Sequence, residues 1–385
     1  MPAQFQVEKS VKDRYSEAAQ TRVEALCCPV QYDARFLKVI PSEILERDYG
    51  CGDPSQYLHP GETVLDLGSG AGKICFIASQ VVGPSGRVIG VDMNDEMLGL
   101  ARANQRKVGE AIGWHNIDFR KGRIQDLALD LDRLDADLRT HPVDSASAFL
   151  AIEARAEELR VSHPLVQPDS IDVVVSNCVL NLVNPRDKSR LFDELFRVLR
   201  KGGRAVISDI VSDEVVPAEL QEDPELWSGC ISGAFTEEQF LQAFERAGFY
   251  GMEVLKRDSQ PWRTVRGIEF RSVTVRAFKG KQGPCVDRNQ AVVYRGPFKE
   301  VLDDDGHRYE RGRRYALCDK TFQLYQKSPY REHFELIEPL QEVKPGDAKP
   351  FDCSAMHLRH PRETKGSAYD ATTAASQCCD GGSCC

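Results

Sequence analysis

The run TVLDLG (63–68) is apolar without alternation, as a strand buried on both faces must be. It passes through a short glycine-rich stretch into KICFIASQVV (73–82), which reads as a helix stopped by Gly83-Pro84. That strand–helix unit then repeats. RVIGVD (87–92) is the next strand and DEMLGLARANQRKV (95–108) the next helix, and IDFRKG (117–122), IDVVVSN (171–177) and RAVISDIV (204–211) read as further strands. DKSRLFDELFRVLRKGG, before the last of these, is a helix with basic residues in its final turn and glycine after it. Such alternation predicts an α/β fold with a mostly parallel, Rossmann-like sheet and helices on both faces. Right-handed crossovers then put ligands outside the carboxyl ends of the strands. Beyond the helix TEEQFLQAFERAGF (236–249), the runs EVLKRD (253–258) and FRSVTVRAF (270–278) alternate as antiparallel strands do, and are expected to finish the sheet.

This divides the chain into an N-terminal helical segment and cap (1–61), a sheet domain (62–283), a small β-rich module (284–342) and a disordered, Cys-rich tail (343–385). Residues 8–26 in the cap look helical, with Val11, Tyr15, Ala18, Ala19 and Val23 on one side. The stretch 127–168 is charged and helix-friendly and reads as a helical insertion on the rim. In the module, two strand-like runs flank Asp305-Gly306, a hairpin signal that places His307 in a solvated turn. A formal net charge of −9 argues against a nucleic-acid partner held through its phosphates. No run has the apolar length of a membrane span and the first residues lack a secretory apolar core, so the expected location is cytoplasmic, with no membrane partner.

The loop Asp66-Leu67-Gly68-Ser69-Gly70-Ala71-Gly72 lies where strand gives way to helix, and its glycines let backbone approach a ligand closely. Dinucleotide-binding proteins share that feature, and Asp92, closing the next strand, would accept ribose hydroxyls of either cofactor. Asp66 decides between them: a carboxylate here repels a pyrophosphate but suits the ammonium of a methionine, which favours S-adenosylmethionine over NAD. VLDLGSGAG followed by VIGVDMNDEML resembles the first two motifs of class I S-adenosylmethionine-dependent methyltransferases, a likeness that runs from about 63 to 210.

The 13 cysteines are too many for a bland protein of a reducing compartment, and are not spaced as a secreted disulfide framework. Any one of them alone is best read as buried packing. Three arrive with their own flanks: RDYGCG (47–52), SNCVLNL (176–182) and WSGCISGAF (227–235). All three stretches resemble segments of the arsenite methyltransferase family, in that family's order. The resemblance implies methyl transfer from S-adenosylmethionine to thiol-bound trivalent arsenic, with Cys178 and Cys230 as arsenic ligands and Cys51 as a third ligand and redox cysteine. Cys27 or Cys28 is its implied redox partner. It also implies a cofactor-side set of Asp66, Gly68, Gly70, Gly72, Asp92, Met93, Ile124, Asn177 and Tyr49. The face of Tyr49 suits a sulfonium cation, although a core aromatic is an equal reading of the residue.

The residue type fits the chemistry, since trivalent arsenic is thiophilic and thiolate is the softest side-chain ligand. Methylation raises arsenic's formal oxidation state, so a trivalent product needs two electrons. A protein dithiol supplies them and is regenerated by glutathione or thioredoxin, the implied reductants and partners beside arsenite or its glutathione conjugate. Two other readings remain open at this point: a methyltransferase of a small organic acceptor, and a thiol protein that sequesters metalloid without turnover. Cys75 reads as plain core. Cys285, Cys318 and Cys353 include candidate zinc ligands, but no CxxC spacing supports that. The terminal SQCCDGGSCC resembles the cysteine-rich tails of arsenic-handling proteins. Ser69 stands where the family commonly has cysteine, and neither the insertion nor the 284–342 module belongs to the minimal enzyme.

Overall fold

In a computed structural model of the chain, residues 7–20, 30–47 and 49–373 are described. They fall into two units, Met1–Gly280 and Lys281–Cys385. In the first, β1 (Thr63–Leu67), β2 (Arg87–Asp92), β3 (Ile117–Lys121), β4 (Ile171–Asn177) and β5 (Leu199–Ser212) pair in parallel in the order β3-β2-β1-β4-β5. A two-residue strand, β6 (Phe235–Thr236), pairs with the end of β5. Then β7 (Tyr250–Arg257), β8 (Arg263–Val265) and β9 (Ile268–Phe278) close the sheet, β9 antiparallel to both β5 and β7. The expected strands are therefore present. The fifth begins earlier than its apolar run because Leu199 already pairs with Ile171 ahead of a register shift, and Gly202 and Gly203 exchange backbone hydrogen bonds with Lys279.

Strand order reverses between β1 and β4, and that crevice is where an α/β sheet receives its ligand. Leu67 and Ser176 are register partners there, and Ser176 Oγ donates to Leu67 O at 3.2 Å. The cofactor loop, which leaves β1 at Gly68, and Cys178, which leaves β4, are thereby held side by side.

Five helices belong to the cap and the first two crossovers: α1 (Val7–Gln20), α2 (Ala34–Leu37), α3 (Ser42–Glu46), α4 (Lys73–Val82) and α5 (Asp95–Ile112). The N-terminal helix is described only to Gln20, so the expected continuation to residue 26 lies outside the described residues. The 127–168 stretch holds α6 (Leu131–Thr140) and α7 (Ala146–Ser162), with Ala156 and Leu159 packed on Leu129. After α8 (Lys188–Val198) come α9 (Ala218–Gln221), α10 (Pro224–Ser228) and α11 (Glu237–Arg246). Thr236 and Gln239 form a reciprocal capping box at the start of α11.

α1 spans the crevice. Asn94 Nδ2 donates to Ser16 Oγ at 3.0 Å on the α5 side, and Arg14 Nη1 donates to Glu225 O and Ser228 Oγ at 2.8 Å on the α10 side. None of the described helices is long and apolar enough to cross a membrane.

The second unit is built from short strands. These are β10 (Val286–Asp287), β11 (Ala291–Tyr294), the hairpin β12 (Glu300–Leu302) and β13 (Arg308–Glu310), β14 (Arg314–Ala316), β15 (Phe334–Ile337), β16 (Lys349–Pro350) and β17 (His357–Leu358). α12 (Asp319–Tyr325) lies between β14 and β15, and Tyr294, Tyr309, Phe322, Tyr325 and Phe334 fill the core.

The expectation of a structureless tail from 343 is corrected over 343–373. β16 pairs with β10, β17 pairs with β14, and Pro361–Lys365 forms a last helix. These pieces are too short to show periodicity, and they are held by specific polar contacts. Arg359, 5% exposed, bonds Asp287 and Glu363, each at 2.6 Å. Residues 374–385, with the four terminal cysteines, lie outside the described residues.

Candidate active site

At the carboxyl end of β1 the chain turns through Gly68, Gly70 and Gly72, at φ 65°, 51° and 89°. A Cβ at Gly68 would lie 2.4 Å from Val179, so that position requires glycine for both angle and space. The loop is tied to β2 by Gly68 N and Ser69 N, which donate to Val91 O at 2.8 and 3.0 Å. Ser69 Oγ is buried with no hydrogen-bond partner among the described residues. An orphaned hydroxyl in a ligand crevice is a group waiting for an external partner.

Asp66 is 2% exposed and accepts a hydrogen bond from Cys75 Sγ at 3.2 Å. Cys75 is core, as expected, and also a partner of that carboxylate; burial, reinforced by the Asp66 charge, lifts its thiol well above the ordinary range. Asp92 accepts from Gly70 N at 2.8 Å and Asn94 N at 2.9 Å, bonds that favour its ionised form, yet burial dominates and raises its pKa.

Asp66, Gly68, Gly70, Asp92, Met93, Ile124, Asn177, Tyr49 and Cys178 all line one cleft, and Glu8, Val11, Lys12 and Tyr15 of α1 form part of its wall. Gly72 is not part of that lining and packs toward Phe119. Tyr49 meets Tyr15 edge-on with centroids 6.2 Å apart and donates its hydroxyl to Ala18 O at 3.0 Å, which fixes it against α1.

Asn177 has a further job that the sequence did not reveal. Its Oδ1 accepts from Cys51 N and Gly52 N at 2.8 and 2.9 Å, and its Nδ2 donates to Gly52 O at 2.7 Å. Each such bond contributes about 1 kcal/mol, so together they clamp the Cys51 segment onto the end of β4. The flanks in Gly50-Cys51-Gly52 follow from this contact. A Cβ at Gly50 would collide with the Asn177 side chain, and one at Gly52 with Ser208.

Cys51, Cys178 and Cys230 are 3%, 4% and 5% exposed and share one apolar cluster with Ile210, Val216, Ile231 and Phe270. Cys178 and Cys230 stand at φ 63° and 61°, two of only five described non-glycine residues with positive φ. That backbone costs about 1–3 kcal/mol per residue and persists where the surroundings hold a side chain in a required direction. The closest grouping comprises the thiols of Cys51 and Cys178 and a carboxylate oxygen of Asp209, all within 4.8 Å of one another. Cys230 stays just outside it; its thiol donates to Cys178 O at 3.1 Å and is hydrogen-bonded to the Tyr15 hydroxyl. Burial, with the nearby Cys230 and Cys178, raises the Tyr15 pKa well above its ordinary value.

Tyr15 and Asp209 lie against these thiols and Lys188 interacts with Asp209; sequence reasoning singled out none of the three for the site. Asp209 is 1% exposed, accepts from Leu180 N at 2.8 Å and Ile210 N at 2.7 Å, and is raised by burial to about 6. Burial lowers Lys188 to about 8, against the opposing pull of Asp209. A lone acid inside the apolar run RAVISDIV was a readable signal, because an acidic group in a core strand is seldom there for packing. Cys27 and Cys28 lie outside the described residues.

Similarity to known proteins extends over both units. A methyltransferase-domain model matches residues 58–159 and 145–248, and a domain-of-unknown-function model matches 281–369. An arsenite methyltransferase of Aquipseudomonas alcaligenes is 31% identical over 97% of this chain and 100% of its own length. The human arsenite methyltransferase is 28% identical over 84% of this chain and 78% of its own. Among solved structures, an arsenic(III) S-adenosylmethionine methyltransferase from Chlamydomonas reinhardtii aligns with TM-score 0.54 and 26% identity, over 84% of this chain and 100% of that one.

Proposed function

The chain belongs to the arsenite methyltransferase family, and on that premise we propose that it transfers methyl from S-adenosylmethionine to trivalent arsenic held by Cys178 and Cys230, with Cys51 as third thiol. One observation supports the assignment above the others: two cysteines from separate segments are both held in left-handed backbone, beside a third, at the switch point of the sheet. The cleft fits the cofactor. Its acidic pair, its glycine backbone and the orphaned Ser69 hydroxyl provide donors and acceptors for a ribose and an amino-acid end.

S-adenosylmethionine, when bound, supplies an electrophilic methyl on a sulfonium and leaves as a neutral thioether. The chain's residues bind and aim. Asp92 would take the ribose hydroxyls and Asp66 would face the ammonium, with Met93, Ile124 and Tyr49 lining the rest of the cleft. Cys178, Cys230 and Cys51 displace hydroxide from arsenite, each thiol proton leaving as water. The arsenic lone pair stays free to form the new bond to carbon, so the thiols act by orientation and the step requires no general base. α1 shields the cleft, and Tyr15 positions the Cys230 thiol through their hydrogen bond.

The new arsenic–carbon bond raises arsenic by two formal units. Two protein thiolates, one of them Cys51, return those electrons by closing to a disulfide, with Cys27 or Cys28 as candidate partner. Glutathione or thioredoxin then reduces the disulfide, which suits a cytoplasmic setting. Incubating the protein with S-adenosylmethionine, arsenite and glutathione, and separating arsenicals by chromatography, tests this reading. Methylated arsenic is expected. Tight arsenite binding with no methylated product would replace the reading with sequestration.

A further inference from the structure

Outside the cleft, the described residues contain a second gathering of thiols. Cys285, Cys318 and Cys353 are more than thirty residues apart in sequence, yet their sulfurs all lie within 4.8 Å of one another in the second unit. The pairing of β10 with β16 brings two of them together. Cys285 immediately precedes β10, Cys353 follows β16, and Phe351 N donates to Cys285 O at 2.9 Å. Cys318, two residues beyond β14, is the N-cap of α12, with its thiol 3.2 Å from Thr321 Oγ1. All three are free thiols; Cys318 is buried, while Cys285 and Cys353 are half-buried and so reachable from solvent.

The surroundings hold this group in place. His307 is expected in a solvated turn; instead its ring is 13% exposed, with Nδ1 2.9 Å from Asp303 Oδ2 and Nε2 2.9 Å from Cys353 O. Asp303 also accepts from the Tyr325 hydroxyl at 2.7 Å, so the hairpin and α12 are both tied to the Cys353 backbone. A shallow recess lies beside Cys318 and Cys353, walled by His307, Phe351 and Met356. The Lys320 ammonium is hydrogen-bonded to Cys285 and offers no lone pair to a metal while protonated.

We propose that Cys285, Cys318 and Cys353 form a second, three-sulfur binding site for trivalent inorganic arsenic, separate from the transfer thiols. The donor count selects this ligand. Arsenite exchanges three hydroxides for three thiolates, releases three waters, changes no oxidation state and ends as a neutral three-coordinate centre. A structural zinc site takes four protein ligands, and the described residues offer no fourth histidine, cysteine or carboxylate in this group. The site gives the 281–369 module a role in retaining the substrate whose methylation is proposed above, and it rests on that reading only for the identity of its ligand.

The test uses the full chain with Cys51, Cys178 and Cys230 changed to serine, and with the cysteines at 27, 28, 378, 379, 384 and 385 also serine. Inorganic arsenite is the probe. Bound arsenic is measured after gel filtration, and arsenic-edge X-ray absorption reports the ligands. One arsenic per chain with three sulfur neighbours is expected, falling at least tenfold in occupancy when Cys285→Ser or Cys353→Ser is added. Cys285 and Cys353 are half-buried, so these changes spare the buried Cys318 position, and circular dichroism verifies folding. Absence of arsenic, fewer than three sulfurs, or stoichiometric zinc that resists a chelator and vanishes with Cys285→Ser would each overturn the proposal. Failure here with active wild-type methylation leaves the transfer reading standing; binding here with inactive wild type overturns only that reading.

Discussion

In the sheet unit, Cys51, Cys178 and Cys230 are all at least 95% buried in an apolar cluster, and two of them occupy left-handed backbone. In the smaller unit, Cys285 and Cys353 are half-buried, none of the three cysteines has positive φ, and the Lys320 ammonium is hydrogen-bonded to Cys285. The left-handed backbone is held by hydrogen bonds: Cys178 N donates to Ser208 O at 2.8 Å, and Cys230 N donates to Trp227 O at 3.0 Å while its carbonyl accepts from Asn181 Nδ2 at 3.3 Å. The second set converges by ordinary strand pairing and needs no such enforcement. The difference separates two uses of the same chemistry. A thiol that must aim an arsenic lone pair at a methyl group needs its direction fixed, whereas one that only retains a thiophilic atom needs proximity and access.

The sharpest way to break this comparison is to remove thiols from each set. Cys178→Ser and Cys230→Ser should each lower methylation by about 100-fold or more, the scale on which a misplaced reacting group costs rate. Affinity for S-adenosylmethionine, followed by calorimetry, should be almost unchanged, because neither thiol contributes to the ribose or ammonium contacts. Cys285→Ser should leave turnover of glutathione-complexed arsenite nearly intact. Comparable losses in both sets would erase the distinction drawn here. Asp92→Ala comes next and should act on the opposite side of the cleft. Loss of a charged hydrogen-bonding partner weakens cofactor binding by roughly 1.5–3 kcal/mol, about 10- to 150-fold in affinity. An unchanged titration would remove Asp92 from the ribose.

Much of the first unit was legible because its strands are buried on both faces and its glycine loop has a single geometric purpose. TVLDLG, KICFIASQVV and RVIGVD sit where their patterns put them. The cysteine stretches carried their information in their flanks, and the structure supplies the reason for one of them. Glycines surround Cys51 because Asn177 and Ser208 leave no room for a Cβ. What was not legible depends on long-range packing. The left-handed φ of Cys178 and Cys230, the contact of Tyr15 with Cys230 and the burial of Asp209 arise from elements far apart in sequence. The convergence of the second thiol set, named from the sequence only as including candidate zinc ligands, was hidden for the same reason: its spacing matches no local metal motif, and β10 and β16 are two residues long. His307 was misread because its turn folds back on Cys353.

A smaller effect distinguishes the buried charges of the sheet unit. Asp209 has a folded pKa of about 6, above the ordinary 3.8, so the native state binds more protons than the unfolded chain between those values. Stability from this group is present below pH about 4 and is lost as pH rises through about 6, a difference of about 3 kcal/mol if the full shift is realised. Asp209→Asn should flatten that part of the pH dependence of the melting temperature. A slope identical to wild type would show that another group produces it.

The comparison turns on whether Cys51 is a replaceable third sulfur beside two directed ligands. The most direct measurement is the initial rate of methylation by Cys51→Ser and by Cys178→Ser, each on arsenite and on methylarsenite, with and without excess glutathione. Methylarsenite already carries one carbon and needs only two thiolates. Cys51→Ser should therefore lose about tenfold or more on arsenite and much less on methylarsenite, with excess glutathione restoring the arsenite rate, while Cys178→Ser fails on both. Equal losses for Cys51→Ser on both substrates, or substantial activity in Cys178→Ser on either, would contradict the assignment of Cys178 as a directed ligand and Cys51 as its exchangeable neighbour.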